Sequence, residues 1–338
     1  MSVKPVIASC AGLALDEEEV ALFAAERPAG LVLFRRNCDN PDQLRALTDA
    51  FRRAVDDEQA FVLVDQEGGR VARLRPPHWR ALPAAAVFGR MAGHDFVHAA
   101  AALQLASAIV AHELLAAGIT VNCAPVLDVP APGAADVIGD RAFADDPDLV
   151  ARLGRVAVDA MLDAGLLPVI KHIPGHGRAP LDSHHATPRV DADIESLYAV
   201  DFVPFEALAD APMAMTAHVV YEALDADRPA TVSKTVIEEA IRGHIGFEGL
   251  LLTDDIGMKA LTGPLSERAR AALEAGCDLV LHCSGVFDEI RTVLEAVDGI
   301  DGATSERILR VRERVAGAEP VDVENAEARL QTLLAEWV

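Results

Sequence analysis

Aromatic and basic residues are scarce in this chain of 338 residues. The first shortage limits the composition of the core, and the second limits the possible partners. Aromatic residues make up 4% of a composition that is 51% hydrophobic, so the core must consist mainly of Ala, Val and Leu. Lys and Arg total 30 against 53 Asp and Glu, which gives a formal net charge of −23. Nucleic acids and anionic membranes both require basic surface on a partner. The charge balance therefore argues against both partners and indicates an acidic, solvated surface.

Cysteine pairs are missing as well. The chain has five cysteines, an odd number, and none of them form a Cys-x-x-Cys pair. This pattern predicts buried free thiols in a reducing compartment. The residues concerned are Cys10, Cys38, Cys123, Cys277 and Cys283.

Two segments resemble signals for export or membrane insertion, and we interpret both as parts of the fold. Residues 7–10 loosely match a lipoprotein cleavage site, but the preceding residues are too few for a basic segment and an apolar one. The apolar stretch 99–117 is interrupted by Gln104, His112 and Glu113, which favours a buried amphipathic helix over a membrane span. We therefore expect a cytoplasmic protein that does not contact a membrane.

Short runs rich in Val, Ile and Leu alternate with longer helical patterns along the whole chain. The runs are mostly apolar throughout, which is typical of strands covered on both faces. Eight such runs are present: 5–9, 30–34, 60–64, 120–125, 167–170, 213–217, 249–253 and 278–282. Helix signals separate them, among them a capping box of Asp16 and Glu19.

Eight strands interleaved with helices predict an α/β fold, a single (β/α)8 TIM-type barrel that spans residues 1–338 as one domain. A doubly wound sheet is the alternative, but no Gly-x-Gly-x-x-Gly motif follows the first strand. The chain also contains no Ser/Gly-rich linker.

Polar residues follow several of the predicted strands directly. The densest group comes after the fifth strand, where residues 171–185 hold four of the eleven histidines. Because the carboxyl ends of parallel strands meet at one mouth of a barrel, we expect these groups to converge. Carboxylates, a lysine, histidines and an arginine in one cleft suit a ligand rich in hydroxyl groups. The groups are Asp65, Asp128, Arg141, Lys171, His172, His218, Asp254 and Asp255.

Several of these residues also have an ordinary structural interpretation. Asp65 could equally cap the turn at Gly68-Gly69. Arg141, taken alone, could form an ion pair on the surface. His218 would suit a core histidine with satisfied hydrogen bonds. Neighbouring Asp254 and Asp255 cannot both face a pocket in extended backbone, so one of them is structural, for example a helix cap.

Asp182 and His184 form a possible proton-transfer pair. Residues two apart in an extended segment point the same way, and a carboxylate beside an imidazole fixes its tautomer and stabilises its cation. Gly175 and Gly177 would let this loop move over the pocket. An ordinary polar loop has the same spacing and remains open.

The same histidine cluster offers a metal site as an alternative. Zinc ligands could come from His172, His176, Asp182, His184 and His185. Their spacing is not that of His-Glu-x-x-His, and Pro174 prevents a helix that would align His172 with His176. A zinc hydrolase is therefore the minor interpretation.

Six motifs in this order carry a resemblance to a known family: Val64-Asp65-Gln66-Glu67-Gly68-Gly69-Arg70-Val71, Ile138-Gly139-Asp140-Arg141-Ala142-Phe143, Lys171-His172-Ile173-Pro174-Gly175-His176-Gly177 with Asp182-Ser183-His184, Met215-Thr216-Ala217-His218, Pro229-Ala230-Thr231-Val232-Ser233 and Thr253-Asp254-Asp255-Ile256-Gly257-Met258. The chain resembles the NagZ-type β-N-acetylglucosaminidases of glycoside hydrolase family three. It departs from the usual family pattern at Ile173, where Phe is common, and at Gly257, where Ser or Asn is common.

The resemblance implies a retaining exo-hydrolase without metal or cofactor, which we expect to be a monomer. It implies that Asp254 is the nucleophile and that His184, paired with Asp182, is the general acid/base. The positions implied to bind the sugar are Asp65, Arg73, Arg141, Lys171 and His172. The implied substrates are cell-wall turnover fragments, in which N-acetylglucosamine is β-1,4-linked to anhydro-N-acetylmuramic acid, with or without peptide.

Two alternatives remain beside this interpretation. A catalytically silent sugar-binding protein on the same barrel is one, although the presence of Asp254 with the Asp182/His184 pair argues against it. Phosphorolysis instead of hydrolysis is the other, because a histidine does not repel an incoming anion as a carboxylate would.

Overall fold

The computed structural model describes residues 2–134, 136–179, 183, 187–315 and 321–337. Its centre is a closed barrel of eight parallel strands, in which each strand pairs with its neighbours in chain order. The strands are β1 Lys4–Ala8, β2 Pro28–Leu33, β3 Phe61–Val64, β4 Val121–Asn122, β5 Leu167–Ile173, β6 Met213–Thr216, β7 Leu250–Asp255 and β8 Leu279–Leu281. Each lies on a predicted run, so the prediction of a (β/α)8 TIM-type barrel is confirmed.

Helices surround the barrel. They are α1 Glu17–Glu26, α2 Pro41–Val55, α3 Ala85–His94, α4 Phe96–Ala116, α5 Pro147–Asp163, α6 Ile194–Ser196, α7 Val203–Ala207, α8 Leu265–Ala275, α9 Phe287–Ala296, α10 Gly302–Glu313 and α11 Val323–Leu334. Segments Leu197–Asp201 and Val236–His244 are π-helical, and Arg35–Asn37, Gly139–Arg141 and Ala230–Val232 are 3₁₀ turns. Two small sheets complete the fold: an antiparallel one of Gln66–Gly68 with Val71–Ala72, and a parallel one of Arg189–Val190 with Val220–Tyr221.

Alternate residues of the strands enter two different hydrophobic cores. Along β3, Phe61 and Leu63 point into the barrel, whereas Val62 and Val64 pack against the helices. The same two-residue alternation holds at Val169 and Ile170 of β5. Both faces of the strands are therefore buried, which explains why their sequences are apolar throughout.

The capping box predicted at α1 is present. The Asp16 carboxylate accepts a hydrogen bond from the Glu19 backbone N–H at 2.8 Å, and Glu19 Oε2 accepts from the Asp16 N–H at 3.1 Å. The second oxygen of Glu19 accepts from the Ala11 N–H at 2.8 Å. This buried glutamate therefore fixes both the start of α1 and the loop that follows β1.

Helix α4 is the helix, among the described residues, whose length and hydropathy would suit a membrane crossing. Half of its most apolar window is buried inside the protein, and it packs against α3, α5 and α11. Such packing is that of a core helix, as predicted.

Helix α3 was not predicted from the sequence. It contains Gly89 and Gly93, and its N-cap residue Ala84 provides no side-chain hydrogen bond, so both common helix signals are weak. Gly89 has a structural reason to be glycine, because a Cβ there would lie 1.6 Å from the Phe143 carbonyl oxygen. The contact fixes α3 against the segment that carries Arg141.

We expect Gly89→Ala to lower the free energy of unfolding by about 3 kcal/mol, because the backbone at Phe143 must move to admit the methyl group. Gly93→Ala in the same helix is the matched control, since a Cβ there meets nothing within 4 Å. That control should be neutral or stabilise by up to about 1 kcal/mol. Urea unfolding monitored by circular dichroism measures both, and equal effects would contradict the assigned contact.

Candidate active site

A pocket of about 290 Å³ opens at the carboxyl ends of the strands. The inward-facing residues Val32, Cys123, Met215 and Leu281 form part of its lining. Above them, Asp65, Lys171 and Asp254 also line the pocket. These three residues continue the inward-facing positions of their strands, two residues beyond Leu63, Val169 and Leu252 respectively. The alternation of the strands thus brings together three groups that are far apart in the chain.

Asp65 and Glu67 hold the cations of the pocket in place. The Lys171 ammonium lies 2.9 Å from Asp65 Oδ1 and 2.7 Å from Glu67 Oε1. Arg141 donates two hydrogen bonds to the Glu67 carboxylate, each at 2.8 Å. Arg73 donates to Asp65 Oδ2 at 2.8 Å. The result is a continuous network of two carboxylates and three cations, in which every member has an oppositely charged partner.

The network keeps Asp65, Glu67 and Lys171 ionised. Burial alone would raise the pKa of Asp65, but the cations of Lys171 and Arg73 outweigh it and hold that pKa well below its ordinary value. For Glu67, too, burial is outweighed, here by Lys171 and Arg141, and the pKa is lowered. Burial would lower the pKa of Lys171, yet Asp65 and Glu67 raise it above its ordinary value. Charged, fixed hydrogen-bonding groups of this kind are suited to binding sugar hydroxyls.

Glu67 is a pocket residue for which the sequence predicts no role. It belongs to the same motif as Asp65, but its importance depends on its contacts with Lys171 and Arg141, which are distant in sequence. The alternative interpretation of Arg141 as an ion-pair partner is correct in part, because the pair exists and lines the pocket instead of the outer surface. Asp65 binds two cations, and among the described residues its carboxylate accepts no hydrogen bond from the Gly68-Gly69 turn.

Asp128 fixes the position of His172. One carboxylate oxygen of this fully buried residue lies 2.7 Å from His172 Nδ1. The other oxygen accepts from the backbone N–H groups of His172 at 3.1 Å and His176 at 2.7 Å. Burial would raise the pKa of Asp128, but His172 and His176 outweigh it and lower this pKa to about 2. The carboxylate therefore stays charged and places the proton of His172 on Nδ1, so that Nε2 remains for a ligand.

Asp254 lies at the end of β7, where its Oδ1 accepts a hydrogen bond from the Asp255 backbone N–H at 2.7 Å. Burial would raise its pKa, but the neighbouring His218 and His172, this hydrogen bond and Lys171 together lower it. Asp254 is thus an ionised carboxylate that lines the pocket.

Asp255 has a structural role. Its Oδ1 accepts from the Gly257 N–H at 2.9 Å and from the Cys283 N–H at 3.2 Å. It caps the turn after β7 and ties that turn to the end of β8. The prediction that one of the two aspartates is structural agrees with these contacts, although the capped element is a turn and not a helix. The expectation that only one of them faces the pocket is wrong, because Asp254 and Asp255 both line it.

His218 is a core histidine with both ring nitrogens in hydrogen bonds. Nδ1 lies 2.6 Å from Thr231 Oγ1, and Nε2 lies 2.9 Å from the Asp255 carbonyl oxygen. Because a carbonyl only accepts, the proton of the neutral ring lies on Nε2. Burial lowers the pKa of His218, so the neutral form is favoured. His218 supports the backbone beside Asp254.

Asp182, His184 and His185 lie outside the described residues. Ser183, between them, lines the pocket, and its hydroxyl is 3.4 Å from His176 Nε2. Burial and the nearby His172 lower the pKa of His176 to about 4. Within the ranges that the structure describes, no group of three or more His, Cys, Asp or Glu is arranged to bind a metal. The metal interpretation included all three of the residues outside these ranges, so it stays a hypothesis.

The glycines of the predicted hinge have a packing role. A Cβ at Gly177 would lie 1.9 Å from the Val129 carbonyl oxygen, and Gly175 has φ of +140°. The Gly175 carbonyl accepts from the Tyr221 hydroxyl at 2.7 Å, and the Gly177 carbonyl accepts from the Ala131 N–H at 3.0 Å. Close approach of the backbone at Gly177 and positive φ at Gly175 are therefore sufficient reasons for these two glycines.

Known proteins are similar in sequence to this chain over most of its length. The family described as "Glycosyl hydrolase family 3 N terminal domain" matches residues 6–318. A protein from Alkalilimnicola ehrlichii named Beta-hexosaminidase is 42% identical over 318 residues, which cover 93% of this chain and 90% of that protein.

Solved structures of related enzymes have the same fold over nearly the whole chain. NagZ from Neisseria gonorrhoeae, in complex with N-trifluoroacetyl-D-glucosamine, superposes with a TM-score of 0.87 and 32% identity, over 98% of each chain. A glycoside hydrolase family 3 β-N-acetylglucosaminidase from Paenibacillus gives a TM-score of 0.86 and 30% identity, over 98% of this chain and 67% of that one.

The barrel, its charged pocket and these relatives define a glycoside hydrolase. The chain belongs to glycosyl hydrolase family 3 and, within it, to the NagZ-type β-N-acetylglucosaminidases.

We expect Glu67→Gln to lower kcat/KM for an aryl N-acetylglucosaminide by about tenfold or more, because Lys171 and Arg141 lose the charge that positions them. Glu113→Gln is the matched control. Glu113 is 10% exposed against 7% for Glu67, and it likewise pairs with an arginine, Arg80, away from the pocket. The control should cost stability and leave kcat/KM unchanged. Wild-type kcat/KM in Glu67→Gln would show that the cations do not depend on this carboxylate.

Proposed function

We propose that the enzyme is a retaining exo-β-N-acetylglucosaminidase, with Asp254 as its nucleophile and His184, paired with Asp182, as its general acid/base. The observation that carries the proposal is the ionised Asp254 carboxylate at the end of β7, inside a pocket of fixed charges. A nucleophile must be charged and rigidly placed. The strand end holds Asp254 in place, and its lowered pKa keeps the carboxylate charged.

A retaining mechanism also needs a proton donor. Asp65 and Glu67 do not suit this role, because both are bonded to cations and have lowered pKa values. An ordinary histidine has a pKa of about 6.5, so it can donate and later accept a proton near neutral pH. His184 follows Ser183, which lines the pocket, and this supports its assignment as the donor.

The two steps then follow. The Asp254 carboxylate attacks the anomeric carbon, the glycosidic C–O bond breaks, and the His184 imidazolium gives its proton to the leaving oxygen. A water molecule next attacks the same carbon, the neutral His184 takes the proton of that water, and the bond to Asp254 breaks. N-acetylglucosamine leaves with retained configuration, and both residues return to their initial forms.

The proposed substrates are peptidoglycan turnover fragments, with N-acetylglucosamine β-1,4-linked to anhydro-N-acetylmuramic acid, in a cytoplasmic recycling pathway. A pocket of about 290 Å³ suits one sugar residue, which supports exo-action. Asp65, Arg73, Arg141, Lys171 and His172 line it and supply charged hydrogen-bonding groups for the hydroxyls. We propose that the enzyme acts as a monomer without a cofactor.

We expect Asp254→Asn to lose at least about 10³-fold of the turnover of an aryl N-acetylglucosaminide, because the amide cannot form the glycosyl-enzyme. In the wild type, a fluorinated N-acetylglucosaminide should label Asp254, as read by peptide mass spectrometry. Asp255→Asn is the neighbouring control, which should remain the less impaired variant and should still be labelled.

A label on another residue would make that residue the nucleophile in place of Asp254, and no label at all would favour assistance by the acetamido group of the substrate. The turnover assay, run with and without phosphate, shows whether water or phosphate accepts the sugar. Hydrolysis predicts free N-acetylglucosamine under both conditions, whereas a sugar phosphate would contradict it.

We expect His184→Ala to slow substrates with poor leaving groups, such as the natural disaccharide, about 10² times more than dinitrophenyl N-acetylglucosaminide, which needs no proton. His172→Ala is the informative control, because His172 lines the pocket and also pairs with a carboxylate, that of Asp128. It should reduce turnover of all substrates similarly. If His172→Ala shows the leaving-group dependence instead, the general acid is His172.

A further inference from the structure

The described residues on either side of His184 both contact Ala260. The Ala260 backbone N–H donates to the Ser183 carbonyl oxygen at 3.2 Å. The Thr187 hydroxyl donates to the Ala260 carbonyl oxygen at 2.7 Å. One residue on the segment after β7 thus binds the chain before His184 and after it.

Ala260 is itself firmly placed. It is 1% exposed and lies on the segment 256–263, which leads from β7 to α8. Arg268 of α8 donates to the carbonyl oxygens of Ile256 at 2.8 Å, Met258 at 3.2 Å and Gly263 at 2.9 Å. A single guanidinium therefore holds this segment on both sides of Ala260.

The segment 256–263 is also tied to the nucleophile. It begins two residues after Asp254, and the Ile256 N–H donates to the Leu281 carbonyl oxygen at 3.0 Å. Met258 N–H donates to the Asp255 carbonyl oxygen at 3.0 Å. The position of Ala260 relative to Asp254 is consequently set by backbone hydrogen bonds at the ends of β7 and β8.

We propose that Thr187 is a positioning residue for the general acid/base, because its hydrogen bond to Ala260 ties the chain just after His184 to the segment that follows Asp254. The inference rests on the role proposed above for His184. Of the two contacts with Ala260, the Thr187 bond is the one made by a side chain, so it can be removed without changing the backbone. Its loss leaves the nucleophile and the network around Glu67 intact and affects proton transfer.

The experiment compares Thr187→Val, which keeps the shape and removes the hydroxyl, with Thr187→Ser, which keeps the hydroxyl. The readout is kcat/KM over a series of aryl N-acetylglucosaminides whose leaving groups differ in acidity, from dinitrophenyl to methylphenyl. Loss of one hydrogen bond in the transition state corresponds to a decrease in kcat/KM of about five- to tenfold. Thr187→Val should lose this factor on the poorest leaving group and almost nothing on the best one, and Thr187→Ser should resemble the wild type.

Thr48→Val is the matched control, because the Thr48 hydroxyl also donates to the backbone carbonyl of a loop residue, Ala117, at 3.0 Å and lies far from the pocket. It should alter stability without any leaving-group dependence. An equal loss on all substrates in Thr187→Val, or a Thr187→Ser variant as impaired as Thr187→Val, would overturn the proposal.

His184→Ala, measured over the same series, separates the two possible failures. A steep dependence in His184→Ala with none in Thr187→Val rejects the positioning role alone. No dependence in His184→Ala rejects the acid/base assignment, and the role of Thr187 with it.

Discussion

Side chains on a parallel strand of a closed barrel must point alternately into the barrel and out of it, and the rest of this structure depends on that constraint. Phe61 and Leu63 enter the interior while Val62 and Val64 face the helices. The next inward position beyond Leu63 is Asp65. In the same way, the next inward positions on β5 and β7 are Lys171 and Asp254, and both line the pocket. The chemistry of the pocket is therefore a continuation of the core pattern by polar residues, at the point where the strands reach solvent.

Charge pairing then makes this arrangement stable. Carboxylates and ammonium groups are costly to bury unless each has a partner. Asp65 and Glu67 face Lys171, Arg73 and Arg141 at hydrogen-bond distance. The pocket lining as a whole has four carboxylates and four Lys or Arg side chains, so it is formally balanced although the chain carries a formal charge of −23. Because its groups are fixed before a sugar arrives, little reorganisation is needed on binding.

Much of the fold and part of the site could be predicted from the sequence. The eight strands were predictable because residues buried on both sides are apolar without interruption. The structural role of one aspartate in the 254–255 pair followed from backbone geometry alone, and Asp255 has that role. Helix α3 was missed because Gly89 is required by a contact with Phe143, and such a contact is formed only in the folded protein.

Glu67 shows the same limit within the site. Its sequence context is that of a turn beside Asp65, and its partners lie 74 positions further on, at Arg141, and later still, at Lys171. Local patterns report burial and turns, whereas a charge network among distant strands is decided by the closure of the barrel. The paired role of Ala260 has the same origin, because neither of its partners is near it in the chain.

The contact of Ala260 with Ser183 and Thr187 has a consequence for how this scaffold can be varied. Ser183 and Thr187 form one unit with the segment 256–268, since both are bonded to Ala260 and Arg268 holds the segment that carries it. A chimaera that exchanges only the segment around Ser183 and Thr187, or only the segment 256–268, with a homologous enzyme would separate residues that are bonded to each other here. Transfer of both segments together preserves the pairing, so the module for recombination between relatives consists of two separate stretches of sequence.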